Sequence, residues 1–394
     1  MAFKNYIPFL LLVLLFSSCA SSSKLFFRGS GPKETYAQEV PFTRTMKLII
    51  MEVKIEGESF RFLFDTGAPM VVSPELADKF NMKKVSSKYV TDSNNSRKKQ
   101  KYVQIDSLKI GRQEFKDLVA IEIDLKYAPV IACLNIDGII GANLMRLATW
   151  KIDYVDQVMH FSNNMQAYQP KKNPIVLPFK TKATFTPVVD LMIDSNIIKN
   201  ITFDTGSGSA ISTSQNFVSH LDKKAPNVFS SYGYHTSGIY GSIPDSMFFT
   251  QRPVTLGKTQ VENMTLSIHE KPSKSLLGTA FMEDYEVILN WEQGRAFLSP
   301  INPEMNLRTL GISVMPKENQ LLISAVHIGS EAQKLGIAFG DVVEEINGRD
   351  CSTVSQNDYC EIREIFEEKE KALTITIKEK GSFTLNWREL FPSE

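Results

Sequence analysis

Residues 60–68 read Phe-Arg-Phe-Leu-Phe-Asp-Thr-Gly-Ala, and residues 199–207 read Lys-Asn-Ile-Thr-Phe-Asp-Thr-Gly-Ser. In each stretch, an apolar run typical of a β-strand ends in an aspartate, Asp65 or Asp204, which is followed by Thr and Gly. The two Asp-Thr-Gly triplets lie 139 positions apart. One such triplet is most often an ordinary turn, so the informative feature is its repetition.

The similarity continues downstream of both triplets. Residues 138–145 read Gly-Ile-Ile-Gly-Ala-Asn-Leu-Met, and residues 275–282 read Ser-Leu-Leu-Gly-Thr-Ala-Phe-Met. Residues 150–154 then align with residues 287–291. Two copies of one unit of about 120 residues account for this pattern.

The two copies are expected over residues 46–168 and 175–302, and both are predicted to be mainly β. Short apolar and β-branched runs alternate there with Gly, Asn, Asp and Pro, which mark turns. The expected local elements are a hairpin around Gly57-Glu58, short helices over 74–80 and 214–221, and flap hairpins near 89–102 and 230–241.

An aspartate at a turn after a buried strand has a chemical use when two such turns meet. Two adjacent carboxyl groups cannot both ionise easily, so they share a proton. One then accepts a proton from water while the other donates a proton to a carbonyl oxygen, which hydrolyses a peptide bond without a covalent intermediate or a metal. We therefore interpret Asp65 and Asp204 as a catalytic pair.

The repeated pattern, an apolar pair before Asp-Thr-Gly and a later apolar-apolar-Gly, resembles that of retropepsin-like, pepsin-related aspartic proteases. The resemblance implies that Asp65 and Asp204 are the catalytic dyad and that both halves of the site come from one chain, so a homodimer is not required. It also implies a set of supporting loop residues: Thr66, Gly67, Ala68, Thr205, Gly206, Ser207, Gly141 and Gly278.

The two catalytic loops differ after the glycine, where Ala68 stands in one and Ser207 in the other. A hydroxyl at this position can bond the outer carboxylate oxygen, so we expect Asp65 to be the more basic partner. The first flap carries the charge run Ser96-Arg-Lys-Lys-Gln-Lys101. This run is interpreted as a solvated hairpin tip, with a flap that favours acidic substrates as the alternative.

Overall charge argues against binding to nucleic acid. The 394 residues contain 44 Lys and Arg and 44 Asp and Glu, so there is no basic excess to neutralise a phosphate backbone. The five histidines are scattered and form no His-Glu-x-x-His motif, and the cysteine spacing does not suit zinc. We expect neither a metal nor another cofactor.

The first 18 residues are expected to be a targeting segment, because Lys4 precedes a short apolar run that ends before Cys19. Small residues before Cys19 resemble a bacterial lipobox, which implies lipidation of Cys19; a plain secretory signal is the alternative. Residues 19–45 are expected to be a tether. The predicted location is the cell envelope, lipid-anchored, in the outer membrane facing the periplasm.

Three further cysteines are an odd number, so they cannot all pair with one another. Cys351 and Cys360 could form a disulfide in an oxidising compartment. Buried or free thiols, including Cys133, are the alternative.

Residues 305–382 differ in character, with Gly-Ser-Glu-Ala-Gln-Lys-Leu-Gly at 329–336 and Gly-Asp-Val-Val-Glu-Glu-Ile-Asn-Gly at 340–348. These motifs resemble those of a circularly permuted bacterial PDZ domain, followed by a tail over 383–394. The resemblance implies that a peptide adds as a strand beside Leu310, Gly311 and Ile312, near an amphipathic helix over 357–370. A spacer that binds nothing is the alternative.

The sequence thus predicts a mainly β, bilobal acid-protease fold with a C-terminal PDZ domain. The predicted function is that of an aspartic endopeptidase that hydrolyses extended polypeptides, with a membrane contact through its lipid anchor. The alternative is a catalytically inactive envelope lipoprotein that binds peptides on the same fold.

Overall fold

The computed structural model describes residues 23–391 apart from 165, 195, 219–221, 224, 226, 302–307 and 367–370. The predicted signal peptide and Cys19 lie outside the described residues. Among those residues, no helix combines the length and the apolar character that a membrane span requires.

The expected mainly β class is confirmed. The strands up to residue 162 are β1 (Ala37–Thr45), β2 (Leu48–Ile55), β3 (Glu58–Asp65), β4 (Val71–Val72), β5 (Lys84–Thr91), β6 (Arg97–Ile110), β7 (Gln113–Glu122), β8 (Gly138–Gly141), β9 (Thr149–Asp153) and β10 (Val158–Ser162). The next strands are β11 (Ile175–Pro178), β12 (Lys180–Thr181), β13 (Pro187–Ile193), β14 (Asn196–Phe203), β15 (Ile211–Ser214), β16 (Phe229–Gly233), β17 (Ser237–Gly238), β18 (Gly241–Ser242), β19 (Asp245–Leu256), β20 (Thr259–His269), β21 (Leu276–Leu277), β22 (Tyr285–Asn290) and β23 (Arg295–Pro300).

The remaining elements include the strands β24 (Arg308–Thr309), β25 (Ile312–Lys317), β26 (Gln320–His327), β27 (Val342–Ile346), β28 (Arg349–Asp350), β29 (Leu373–Ile377), β30 (Gly381–Leu385) and β31 (Arg388–Glu389). The helices are short: α1 (Ser23–Phe26), α2 (Pro74–Lys79), α3 (Pro129–Ala132), α4 (Ala142–Met145), α5 (Thr279–Met282), α6 (Glu331–Lys334) and α7 (Gln356–Ile365).

The same strand pairings occur in the first repeat (46–168) and in the second repeat (175–302). In the first, β3 runs parallel to β8, β8 is antiparallel to β4, and β4 is parallel to β7. In the second, β14, β21, β15 and β20 repeat these three pairings in the same order and directions. The internal similarity of the sequence is therefore a similarity of topology.

The two repeats meet in a sheet of six antiparallel strands in the order β11-β23-β22-β9-β10-β1. At its centre β9 pairs with β22, and Lys151 lies opposite Ile288. These two residues are equivalent in the alignment of the repeats, so the pair marks an approximate two-fold axis. One apolar cluster, which includes Phe64, Trp150 and Phe203, extends through both repeats.

The turn between β2 and β3 follows from its sequence. Glu56 and Gly57 have positive φ values of 50° and 88°, the conformation of a tight two-residue hairpin turn. Glycine tolerates this region because it has no Cβ. The hairpin thereby delivers the apolar strand β3 to the point where Asp65 ends it.

Three sequence predictions need correction at their boundaries. The tether expected over 19–45 contains β1, whose backbone pairs with β10 and β2. The tail expected over 383–394 contains most of β30 and all of β31, since Leu385 fills the core of the preceding module. The helix expected over 214–221 is a single 3-10 turn, Gln215–Phe217, in the part of that range that is described.

The C-terminal module, residues 308–391, has an apolar core of its own, which includes Val343, Tyr359 and Ile375. Its helix α7 begins at a capping box in which Ser355 and Asp358 bond each other's backbone N–H groups. The module joins the second repeat through β26, which pairs with β16.

A disulfide joins Cys133, just after α3, to Cys360 in α7, with their Cα atoms 5.2 Å apart. The pairing of Cys351 with Cys360 and the alternative that leaves both Cys133 and Cys360 as thiols are therefore wrong. Cys351 is a free thiol in the core of the C-terminal module, where it is fully buried. The bridge spans 227 positions, so spacing along the sequence gave no sign of it.

Removing this bridge should destabilise the oxidised protein. Closing so long a loop lowers the entropy of the unfolded chain, and we expect Cys133→Ser to reduce the free energy of unfolding by about 2–5 kcal/mol. Thermal denaturation with and without a reductant measures the effect. Cys360→Ser should match Cys133→Ser, and a reductant should lower the melting temperature of the wild type alone. Equal melting temperatures for all of these samples would contradict the expectation.

Candidate active site

The structure brings the two Asp-Thr-Gly loops face to face. Asp65 ends β3 and Asp204 directly follows β14, and each carboxyl group packs against the glycine of the opposite loop. A Cβ atom added at Gly67 would lie 2.5 Å from Asp204 Oδ1, and one added at Gly206 would lie 2.4 Å from Asp65 Cγ. Only glycine permits this approach, which leaves the two carboxyl groups in hydrogen-bond contact.

The two threonines lock the loops together by reciprocal hydrogen bonds. Thr66 Oγ1 donates to the Phe203 carbonyl at 2.5 Å and accepts from the Thr205 amide at 3.0 Å. Thr205 Oγ1 donates to the Phe64 carbonyl at 2.9 Å and accepts from the Thr66 amide at 3.0 Å. Both side chains are fully buried, so the loops have little freedom to separate.

Gly141 and Gly278 lie directly beneath the two loops. A Cβ at Gly141 would meet the Pro69 carbonyl carbon at 2.0 Å, and a Cβ at Gly278 would meet the Ser207 carbonyl oxygen at 2.5 Å. The residues that follow these glycines support the loops through their amides, because Ala142 donates to the Ala68 carbonyl and Thr279 donates to the Ser207 carbonyl.

The two carboxyl groups are electrostatically unequal. Burial and the neighbouring Asp204 carboxylate raise the pKa of Asp65 well above its usual range. Burial also raises the pKa of Asp204, but the Gly206 amide, the hydrogen bond from Asp65 and the charges of Lys182 and Lys274 oppose this increase. The two aspartates therefore titrate as a pair, and their surroundings raise the pKa of Asp65 further than that of Asp204.

This direction agrees with the expectation that Asp65 is the more basic partner, but the expected reason is wrong. Ser207 Oγ lies 2.9 Å from Ser209 Oγ and forms its hydrogen bond there. Asp65 accepts bonds from the Gly67 and Ala68 amides at 2.7 and 3.1 Å. Unlike Asp65, Asp204 also has two lysines, Lys182 and Lys274, whose charges lower its pKa, and the sequence analysis did not single them out.

A cavity of about 570 Å³ opens above the dyad. Its floor contains both aspartates, and its walls come from both repeats. A cleft of this size can enclose several residues of an extended chain around the two carboxyl groups.

The two flap segments meet above the cavity. The hairpin of β5 and β6 turns at residues 92–96, and Asp92, buried at this turn, accepts a bond from the Tyr240 amide. Asn94 donates to the Gly241 carbonyl at 3.0 Å, and Lys274 Nζ donates to the Asp92 carbonyl at 2.7 Å. The two flap segments thus contact each other, and residues of both line the cavity.

The charge run of the first flap lies in the strand β6 rather than at the turn. The side chains of Arg97, Lys98, Lys99 and Lys101 are exposed, which agrees with the interpretation of a solvated surface. Lys98 Nζ lies 3.8 Å from the centre of the Tyr127 ring, a cation–π contact.

Three side chains on the second-repeat wall of the cavity form a row of hydrogen bonds that the sequence analysis did not predict. His269 Nε2 lies 3.1 Å from Ser212 Oγ, and His269 Nδ1 lies 3.3 Å from Asp245 Oδ2. Burial lowers the pKa of His269, although Asp245 opposes this. Ser212 is in β15, which pairs with strands on both sides, so its backbone amide is not available to stabilise an oxyanion. The three side chains therefore form a polar part of the cavity wall. The sequence did not indicate this arrangement, because the three residues are far apart along the chain.

The residues expected to bind peptide in the C-terminal module do not line the cavity that contains the dyad. Leu310 and Ile312 are buried, and the Gly311 amide donates to Thr309 Oγ1 at 3.0 Å. Helix α3 of the first repeat packs against both β25 and α7, the elements that would border the groove. Peptide addition along β25 therefore requires α3 to move.

Within the described ranges, no group of three or more His, Cys, Asp or Glu side chains is arranged to hold a metal ion.

One comparison with known protein families gives a match within the first repeat. Residues 51–144, which contain Asp65 and Gly141, match the family model described as Aspartyl protease. The chain is also similar to the crystal structure of a retropepsin-like aspartic protease from Rickettsia conorii, with 20% sequence identity and a TM-score of 0.24. That match covers 33% of this chain and 93% of the other. No curated protein matches the chain.

The threonine contacts make a testable claim about stability. In Thr66→Val, the Thr205 amide and the Phe203 carbonyl lose their partner in a buried place, and we expect the free energy of unfolding to fall by about 2–5 kcal/mol. Urea denaturation measures the loss. Thr66→Ser keeps the hydroxyl and should lose much less; equal losses in the Val and Ser variants would show that the hydroxyl does not stabilise the loops.

The raised pKa of Asp65 predicts the pH dependence of stability. Above about pH 4 an unfolded aspartate has released its proton, whereas folded Asp65 keeps its own. Raising the pH through this range therefore favours the unfolded chain as far as Asp65 is concerned, and the contribution of Asp65 to the free energy of unfolding should fall until the folded pKa is passed. Denaturation at a series of pH values should show a shallower fall for Asp65→Asn. A slope unchanged by the substitution would contradict the assignment of the proton.

Proposed function

We propose that this protein is an aspartic endopeptidase that hydrolyses extended polypeptides with Asp65 and Asp204. The observation that supports this most directly is the contact between two half-buried carboxyl groups with raised pKa values at the floor of a cavity. One protonated and one ionised carboxyl group are the pair that acid–base hydrolysis needs. The family match over residues 51–144 supports the same reaction.

In the proposed mechanism a water molecule lies between the carboxyl groups and beside the scissile carbonyl carbon. Asp204 accepts a proton from this water while the water oxygen bonds to the carbonyl carbon, and Asp65 donates its own proton to the carbonyl oxygen. The tetrahedral intermediate then collapses, the C–N bond breaks, and Asp204 returns its proton to the leaving nitrogen. One hydroxyl proton of the intermediate goes back to Asp65, which restores the starting state.

The two repeats are proposed to be the two lobes of an acid protease contained in one chain, so a homodimer is not required for the site. The topology shared by the repeats and the near-symmetric pairing of β9 with β22 support this reading. The paired flap segments above the cavity suit a substrate that enters as an extended chain and is then covered.

The C-terminal module is proposed to be a PDZ domain, and the protein to be a lipoprotein of the cell envelope anchored through Cys19. Support for the first comes from the sequence motifs and from the compact antiparallel module with helix α7 beside β25. Support for the second comes from the sequence before Cys19 alone. Binding of a peptide by the module, beside Leu310 and Ile312, is part of the proposal.

Hydrolysis of a mixed peptide library by the full-length protein tests the reaction. We expect cleavage by the wild type and a loss of about 10²–10⁴-fold or more in Asp65→Asn and in Asp204→Asn, since each removes one acid–base group. Asp156→Asn is the matched control, because this aspartate is exposed in the turn between β9 and β10. Mass spectrometry of the products identifies the cleaved bonds.

Cleavage that survives both dyad substitutions would refute the proposed function. Absence of cleavage from pH 3 to 8, together with retained binding of the library peptides, would favour the alternative of an inactive peptide-binding protein.

A further inference from the structure

The two walls of the cavity have different chemistry. The first repeat contributes apolar side chains, among them Ile121, Leu125 and Leu134. The second repeat contributes hydroxyl groups, His269 and the lysines Lys182 and Lys274, together with the apolar side chains of Ile239, Met247 and Leu276. The difference reaches the catalytic strands, because Leu63 and Thr202 occupy equivalent positions two residues before each aspartate and both line the cavity.

Lys182 lies in the loop after β12 and reaches the cavity beside Asp204. Its ammonium group donates to Thr202 Oγ1 at 2.8 Å, the hydroxyl that replaces the apolar side chain of the first repeat. An ammonium has three donors, and a single neutral hydroxyl leaves capacity for another acceptor. Among the described residues, no carboxylate lies within 4.0 Å of the Lys182 ammonium.

Lys274 lines the same wall but has a different set of contacts. Its ammonium donates to the backbone carbonyls of Asp92 at 2.7 Å and Thr91 at 3.3 Å, both at the tip of the first flap. It therefore connects the flap to the second repeat. Loss of hydration lowers the pKa of both lysines, although each side chain reaches solvent along part of its length.

We propose that Lys182 selects substrates that carry an acidic group on the Asp204 side of the scissile bond and a large apolar side chain on the Asp65 side. This inference rests on the proposed protease activity. A substrate carboxylate would accept a charge-assisted hydrogen bond from the Lys182 ammonium, which lies beside Thr202 and is exposed to solvent. The apolar wall would bury the side chain on the opposite side of the dyad.

A purely electrostatic role for Lys182 would affect the cleavage kinetics in a different way. Its charge helps to keep Asp204 ionised, and this effect acts on the cleavage of every substrate alike. Recognition of a carboxylate acts only on substrates that have one. The ratio of kcat/KM for an acidic peptide to that for its neutral isostere therefore separates the two roles, because changes in the dyad cancel in the ratio.

The probes are peptide pairs with Phe on one side of the scissile bond and either Glu or Gln at successive positions on the other side. For the full-length wild type we expect kcat/KM to favour Glu over Gln by about tenfold at one position, as for a charge-assisted hydrogen bond at a partly exposed site. In Lys182→Met the ratio should fall to about one, and in Lys182→Glu a peptide with Lys should become preferred over Glu.

Two further variants serve as controls. Lys180→Glu changes the charge of an exposed lysine two residues away that does not line the cavity, and it should keep the wild-type ratio. Lys274→Met should change kcat/KM for both peptides by the same factor, because it loosens the flap contact. Circular dichroism and thermal denaturation verify that every variant folds.

The inference and the proposed function fail in different ways. If the wild type cleaves Glu and Gln peptides equally at every position, or if Lys182→Met keeps the preference, Lys182 is not a specificity residue, and the protease proposal stands. If no peptide is cleaved by a folded wild type at any pH, the protease proposal fails and the inference falls with it.

Discussion

Two carboxyl groups held in contact in a half-buried site do not both ionise easily, and the rest of the site follows from this constraint. The contact exists because Gly67 and Gly206 leave room for the opposite aspartate and because Thr66 and Thr205 bond across the interface. One proton has to be retained between the two acids. The contact thus places two acids of different pKa side by side.

Near-symmetric halves do not produce a symmetric site. Strand topology and loop contacts repeat almost residue for residue, yet the surroundings of the two carboxyl groups differ. Lys182 and Lys274 act on Asp204, where their charges oppose the increase of its pKa, and no lysine acts on Asp65 in the same way among the described residues. The two repeats also line the cavity differently, with mainly apolar side chains from the first repeat and with hydroxyl groups and two lysines from the second.

The features predictable from the sequence were those encoded by local pattern or by repetition. The two Asp-Thr-Gly loops, the glycines beneath them, helix α2 and the hairpin at Glu56 and Gly57 depend on nearby residues or on a motif found twice. Lys182, Lys274 and His269 could not be found in this way, because strands distant along the chain bring each of them to the cavity.

The errors have a similar origin. The N-terminal stretch has only a weak apolar pattern, so its sequence indicated a tether. The strand β1 forms there because β10 and β2 provide partners for its backbone, and such pairing depends more on tertiary context than on the local sequence. The disulfide is the extreme case: Cys133 and Cys360 have no local signature at all, and their proximity depends on the packing of α3 against α7.

The disulfide between Cys133 and Cys360 determines what happens when the C-terminal module is removed. Val130 and Cys133 pack against the C-terminal module, and Val130, Ile131 and Leu134 also line the cavity above the dyad. A fragment truncated after the second repeat would retain both aspartates, but it would expose these apolar side chains and the unpaired thiol of Cys133. Under oxidising conditions such a fragment is prone to interchain crosslinking, so its oligomers would be artefacts of truncation rather than a property of the intact polypeptide.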